Sequence, residues 1–207
     1  MKILRIYCSP RRGKSESARL ADTIVGFLSE RYPAAEIVDR DLAAGAISHV
    51  DEIYADALGG HGLPRDGDAA VSMDESERLI QELEAADCVV IGTPMHNYTV
   101  PSALKAWIDH IVRIHRTFQP SPQGKIGTLK DRPVYVAVSS GGTYSHGRAR
   151  QPDFLTPYLT TIFNTIGLRD LTFFTVQGTA FSAEALEAAR KKVVQDLADH
   201  FSAPAVA

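Results

Sequence analysis

Apolar residues recur along this chain at two spacings, and the spacings alternate. Lys2 to Cys8 (KILRIYC) is a short apolar run that ends in loop-type residues. Leu20, Ile24, Phe27 and Leu28 then recur at a helical period. Glu36 to Leu42 predicts a second strand, and Asp87 to Thr93 (DCVVIGT) a third, apolar throughout as in a strand buried on both faces. Pro133 to Ser139 and Leu171 to Val176 predict the fourth and fifth. Helical spacings fall between them. Leu79, Ile80 and Leu83 follow a capping-box pattern at Ser72 and Glu75. Leu104, Trp107, Ile108, Ile111 and Val112 mark the next helix. Leu155, Leu159, Ile162, Phe163 and Ile166 precede a stop at Gly167, and Leu186, Ala189, Val193 and Leu197 close the series.

Five strands with a helix between each successive pair predict an α/β chain with a parallel sheet covered on both faces. The expected architecture is a flavodoxin-like three-layer sandwich, strand order 2-1-3-4-5, with residues 1–207 as a single domain. One stretch, 43–68, fits no element. It carries Ile47, Val50, Ile53 and Tyr54, too apolar for a plain linker, and reads either as an excursion over a site or partner or as a loop packed on its own domain.

Composition narrows the function classes. A net charge of −3 gives no electrostatic footprint for nucleic acid. No apolar run is long enough for a membrane span, and the N-terminal run lacks signal-peptide features. Two cysteines, Cys8 and Cys88, in apolar surroundings fit a reducing cytoplasm and small buried side chains better than a disulfide framework. The histidines show no zinc-type pairing: His110 and His115 are five apart on one helix. No metal is expected.

In an open parallel sheet, ligands sit beyond the carboxyl ends of the strands near the switch in strand order. The first such loop, Cys8 to Ser17 (CSPRRGKSES), resembles three phosphate-handling loops. The nucleoside-triphosphate loop needs a glycine where Cys8 stands and an Asp for Mg²⁺ at a later strand end; both are missing. A cysteine phosphatase would use Cys8 with a bidentate arginine, yet position 14 is Lys14; Asp153 would be its acid. The third reading is a monophosphate held without metal by Ser9, Ser15 and Ser17 and by the free amides of a helix start, with Ser15 also able to cap that helix. The second loop, Pro94-Met95-His96-Asn97-Tyr98, offers apolar contact to a flat ring and an Asn-supported turn. The third, Ser139-Ser140-Gly141-Gly142, lets backbone approach that ring closely. The loop after strand five, Gln177 to Thr179, is expected to lie further away.

At GTPMHNYTVPSALKAWIDHIVRIHRTF and VAVSSGG the chain resembles the FMN-dependent NADH azoreductase/quinone reductase family, and the likeness runs nearly end to end. The resemblance implies noncovalent FMN, NADH or NADPH as reductant, and a quinone or azo acceptor reduced by two electrons in a ping-pong cycle. It also implies a homodimer with the active site at the interface. Carried onto this chain, Ser9, Ser15, Glu16 and Ser17 would hold the phosphate side. Pro94, Met95, His96, Asn97, Tyr98, Ser139, Ser140, Gly141 and Gly142 would frame the ring. Phe118 would line the substrate mouth or the partner's site, or else be an ordinary core aromatic. The helix of Trp107 and Ile111 would form the dimer seam or pack on the sheet. Glu16 stands where the family has Gln, His96 where it has Tyr, and Ser140 where it has Arg. No side chain must act as acid or base on this reading; His96 could donate a proton to the reduced acceptor, but the favoured role is only a hydrogen bond to the flavin's pyrimidine edge or to backbone. The competing classes are a flavodoxin-like electron carrier, which would want a more acidic surface and no long excursion, and the cysteine phosphatase.

Overall fold

The computed structural model describes residues 1–44, 47–58, 68–145, 147 and 149–202. Its strands are β1 (Lys2–Tyr7), β2 (Glu36–Asp41), β3 (Cys88–Pro94), β4 (Phe118–Ser121), β5 (Gly124–Gly127), β6 (Val134–Ser140) and β7 (Leu171–Gln177). Its helices are α1 (Glu16–Arg31), α2 (Glu52–Leu58), α3 (Asp68–Ala85), α4 (Ser102–Ile111), α5 (Thr156–Ile166) and α6 (Ala183–Ser202). The main sheet runs β2-β1-β3-β6-β7, all parallel. That is the expected order in pattern. The fourth and fifth sheet strands are β6 and β7 because an antiparallel hairpin, β4–β5, intervenes and stays outside the sheet.

Alternation along the strands splits the interior into two layers. Val89 and Ile91 of β3, with Val134, Val136 and Val138 of β6, pack against α3, α4 and α5. Cys88 and Val90 of β3, with Ala137 of β6, pack against α1 and α6. Trp107 and Ile111 are buried in the first layer, with Trp107 beside Phe163 at a centroid distance of 6.3 Å. Their side chains therefore serve the protomer's own core.

Three expectations change in detail. Residue Ser72 does not start a helix, because α3 is already running at Asp68; Asp-Ala-Ala at 68–70 suits a helix start. The described part of the excursion contains α2 and packs on its own domain through Tyr54 and Ser48. Tyr54 is buried, and its hydroxyl meets Ser76 Oγ (3.3 Å) and donates to the His110 carbonyl (3.4 Å). His110 Nε2 lies 2.8 Å from the Ser48 carbonyl. The part of the excursion at 45–46 and 59–67 lies outside the described residues. The hairpin was not legible as strands, since FQPS and GKIG lack any apolar alternation. It is held from outside: Leu129 N–H donates to the Ile166 carbonyl (3.0 Å), just where Gly167 ends α5 with φ +106°.

Candidate active site

Parallel register brings the strand ends level. Tyr7 pairs with Gly92, Pro94 with Ser139, and Ser140 with Gln177. Backbone bonds carry this alignment into the loops: Cys8 N–H to the Gly92 carbonyl (3.0 Å), and Met95 N–H to the Ser139 carbonyl (2.8 Å). The loop after β7 joins them. Gly178 N–H donates to the Gly142 carbonyl (3.1 Å), Thr179 N–H to Ser140 (3.1 Å) and Ala180 N–H to Gly141 (3.3 Å). The expectation that this loop lies further away is thus corrected: β7 neighbours β6, and adjacent strand ends share loops.

These loops enclose a cavity of about 510 Å³. Of the residues singled out from sequence, Ser9, Ser15, Glu16, Pro94, Met95, His96, Ser139 and Gly141 line it. Arg11 and Lys14 line it as well, and Pro10, Thr179, Ala180 and Leu186 complete it. Ser17 is fully buried behind Ser15, their hydroxyl oxygens 2.9 Å apart. Ser15 holds the N-cap position of α1, yet its side chain makes no capping bond. The first amides of α1 therefore keep their donors for another acceptor, with the positive end of the helix dipole behind them. Gly92 permits this placement of α1. A Cβ there would stand 2.8 Å from the Ser17 carbonyl oxygen and 3.1 Å from Ala21 Cβ.

The β3 loop is a two-residue turn. His96 and Thr99 exchange both backbone bonds (2.9 and 3.0 Å) around Asn97 at φ +48° and Tyr98 at φ +70°. Both central residues are left-handed, as in a type I′ turn; Asn tolerates this, whereas a bulky Tyr is strained there. His96, Asn97 and Tyr98 are exposed at the mouth of the cavity's loop set, and the Tyr98 carbonyl accepts a bond from Phe154 N–H (3.1 Å). Asn97, Tyr98, Ser140 and Gly142 do not line the cavity themselves. Ser140 is buried and works through Gln151, whose Nε2 reaches Ser140 Oγ (3.0 Å) and Met95 Sδ (3.2 Å). A side chain at Gly142 would meet that same amide. Gln151 was missed from sequence, for it sits in a loop with no motif. Phe118 begins β4, is buried, and carries Lys125 Nζ 4.8 Å above its ring; it does not line the cavity of its own protomer.

Electrostatics separate the phosphate readings. Burial pushes the Cys8 thiol well above its usual range, against a hydrogen bond with Thr93. Buried at 1% exposure, Cys8 is a poor thiolate nucleophile, so the phosphatase reading is not favoured. Asp153, the acid that a phosphatase would need, instead caps α5, its Oδ1 accepting from Leu155 N–H (3.0 Å) and Thr156 N–H (2.9 Å). Glu16 lines the cavity, and hydrogen bonds from Arg190 hold its carboxyl below the usual range despite partial burial.

Fold and site together define a flavodoxin-like protein whose first strand–helix loop lines a cavity at the carboxyl edge of the sheet. A sequence-family model described as flavodoxin-like fold matches residues 1–201. The chain is 51% identical over 186 residues to FMN-dependent NADH:quinone oxidoreductase 4 of Pseudomonas fluorescens, covering 90% of this chain and 88% of that protein. It is 46% identical over 167 residues to FMN-dependent NADH:quinone oxidoreductase 2 of Cupriavidus pinatubonensis, covering 81% of each. Among solved structures, a Bacillus anthracis FMN-dependent NADH-azoreductase in complex with FMN superposes with a TM-score of 0.80 at 25% identity, over 96% of this chain and 98% of that one. The chain belongs to the FMN-dependent NADH:quinone oxidoreductase family of flavodoxin-like proteins.

Proposed function

We propose that this chain is an FMN-dependent oxidoreductase that takes two electrons from NADH or NADPH and delivers them to a quinone or azo acceptor. The observation that carries the reading is the convergence, in one cavity, of an uncapped helix start with the Met95 and Ser139–Gly141 loops. The first suits a monophosphate and the others a flat ring, so the residues present fit FMN. Ser9 and Ser15, with the first amides of α1, hold the phosphate, and the buried Ser17 hydroxyl backs Ser15 rather than touching the phosphate. Glu16 stands beside them, paired away to Arg190. Pro94, Met95 and Ser139 wall the ring, with Gly141 allowing close backbone approach and Ser140 and Gly142 holding the loop from behind. Asn97 and Tyr98 shape the turn that presents His96. Bound there, FMN supplies two-electron transfer between the nicotinamide and the acceptor. The chain's own work is orientation and exclusion of water, with His96 placed to hand a proton to an acceptor over the cavity.

We also propose that two copies pair at the cavity mouth. Tyr98 and Phe154, 47% and 59% exposed, sit together there, an apolar patch that a second copy would cover. A substrate role for Phe118 belongs to this assembly, because within one protomer Phe118 does not line the cavity. A cytoplasmic setting fits two buried, unpaired cysteines and the lack of any membrane-length apolar helix among the described residues.

The test is direct. Purified protein reconstituted with FMN should be yellow, bleach anaerobically with NADH or NADPH, and oxidise either reductant when menadione is added. A protein that binds no FMN refutes the reading. Bound FMN that neither reductant bleaches refutes the reductase and leaves an electron carrier. Light scattering should give twice the protomer mass.

A further inference from the structure

A glutamate beside a phosphate pocket is a liability, and this chain has one. Glu16 is the first residue of α1, lines the cavity, and has a side chain only 16% exposed. The cations on the same loop, Arg11 and Lys14, are exposed on the rim, where solvent and salt screen them. They offset a buried negative charge poorly. The neutralising charge comes from the other end of the chain. Arg190 of α6 forks onto Glu16, with Nε 2.9 Å from Oε2 and Nη2 2.6 Å from Oε1. Its third nitrogen, Nη1, lies 3.6 Å from Glu187. Leu186, one turn earlier on the same face of α6, lines the cavity, whereas Arg190 does not. The guanidinium therefore reaches Glu16 from behind.

We propose that Arg190 is a positioning residue for the phosphate end of the cofactor site: it neutralises Glu16 and turns its carboxylate away, so that a dianionic phosphate can occupy the start of α1. The inference rests on the reading that the cavity receives FMN with its phosphate at that helix. A bidentate Arg–carboxylate pair fixes orientation as well as charge, which a lysine would do less well.

The experiment compares FMN with riboflavin, which has the ring and ribityl chain but no phosphate, by fluorescence titration of the apoprotein. Wild type should prefer FMN strongly. Arg190→Ala exposes the phosphate to an unpaired carboxylate and should weaken FMN by about tenfold or more, with riboflavin affinity unchanged. Glu16→Gln added to Arg190→Ala should restore FMN binding, and Arg190→Lys should restore part of it. Thermal unfolding of each variant checks that the fold is intact. If Arg190→Ala weakens both flavins alike, or if Glu16→Gln does not rescue it, Arg190 is a packing residue and the proposal falls. If Arg190→Ala keeps the wild-type preference, the proposal falls while the phosphate placement stands. If wild type itself shows no preference for FMN over riboflavin, the phosphate placement fails and the proposal with it.

Discussion

Replacing Gly92 with alanine tests how the fold builds the site. Gly92 is in the buried strand β3, on the face toward α1. The added Cβ would stand 2.8 Å from the Ser17 carbonyl oxygen, 3.3 Å from its carbonyl carbon and 3.1 Å from Ala21 Cβ. Two of these neighbours are backbone, so no rotamer change relieves the contact. The first turn of α1 must move outward by about 0.6 Å to regain ordinary contact in a close-packed interior. Overpacking of this kind costs about 1–3 kcal/mol of stability. In a chain of this size that lowers Tm by roughly 2–4 °C per kcal/mol. On the proposed reading, the moved turn is also the one whose amides receive the phosphate. Losing the geometry of one charge-assisted bond there, about 1.5–3 kcal/mol, weakens FMN roughly ten- to hundredfold. Apoprotein titration with FMN, paired with thermal unfolding, reads both effects. Gly92→Ala with a lowered Tm and wild-type FMN affinity would refute the claim that α1 carries the phosphate end.

Gly141→Val should give the opposite pattern. The nearest atom to a Cβ there is Ala180 Cβ at 3.5 Å, so the protein itself accommodates it, but the side chain enters the cavity. FMN affinity should fall steeply with Tm nearly unchanged, and retained affinity would contradict the placement of the ring. Gly167→Ala should lower Tm without touching flavin binding. Its φ of +106° and the Leu129 carbonyl oxygen 2.6 Å from the new Cβ combine strain and clash, worth about 2 kcal/mol or more. Glu77 is held down to about 2, chiefly by hydrogen bonds from Arg116, with Arg113 adding to them against partial burial. Because the folded value is depressed, its stabilisation is complete above the ordinary glutamate range and is lost as pH falls from there toward about 2. With the side chain about a third exposed, screening leaves about 2 kcal/mol. The Tm gap between wild type and Glu77→Gln should therefore be full at pH 7 and close below pH 4.5, and a pH-independent gap would refute the ion-pair account.

Most of the fold was legible because its central strands, β3 and β6, are buried on both faces. A run such as CVVIGT leaves no polar face to confuse with a surface helix, and the crossover helices announce themselves by period. What the pattern could not carry were elements stabilised from outside themselves. The β4–β5 hairpin is two four-residue polar strands that hold because Gly127 packs against the backbone at Gly167 and Leu129 is tied to the end of α5. Helix α2 survives in a glycine-rich stretch because Tyr54 is buried against α3 and α4. Neither cause is local, so neither leaves a local signal.

The site divides along the same line. Residues that touch the cavity directly, such as Ser9, Ser15, Met95 and Gly141, belong to loops that follow strands and were found by position. Residues that act on them from behind were not. Arg190 lies 174 positions from Glu16, and Gln151 lies 56 from Met95. Only Glu16 itself carried a hint, as a carboxylate where an anion is expected. A buried charge of the same sign as the ligand must be paired or it repels, so the anomaly demanded an unseen cation. The three similar phosphate loops are separated on the same grounds. What distinguishes CSPRRGKSES is less its own residues than the burial of Cys8, the uncapped α1 start above Gly92, and an arginine from the last helix that pairs with its glutamate, on our proposal so that a phosphate can sit beside it.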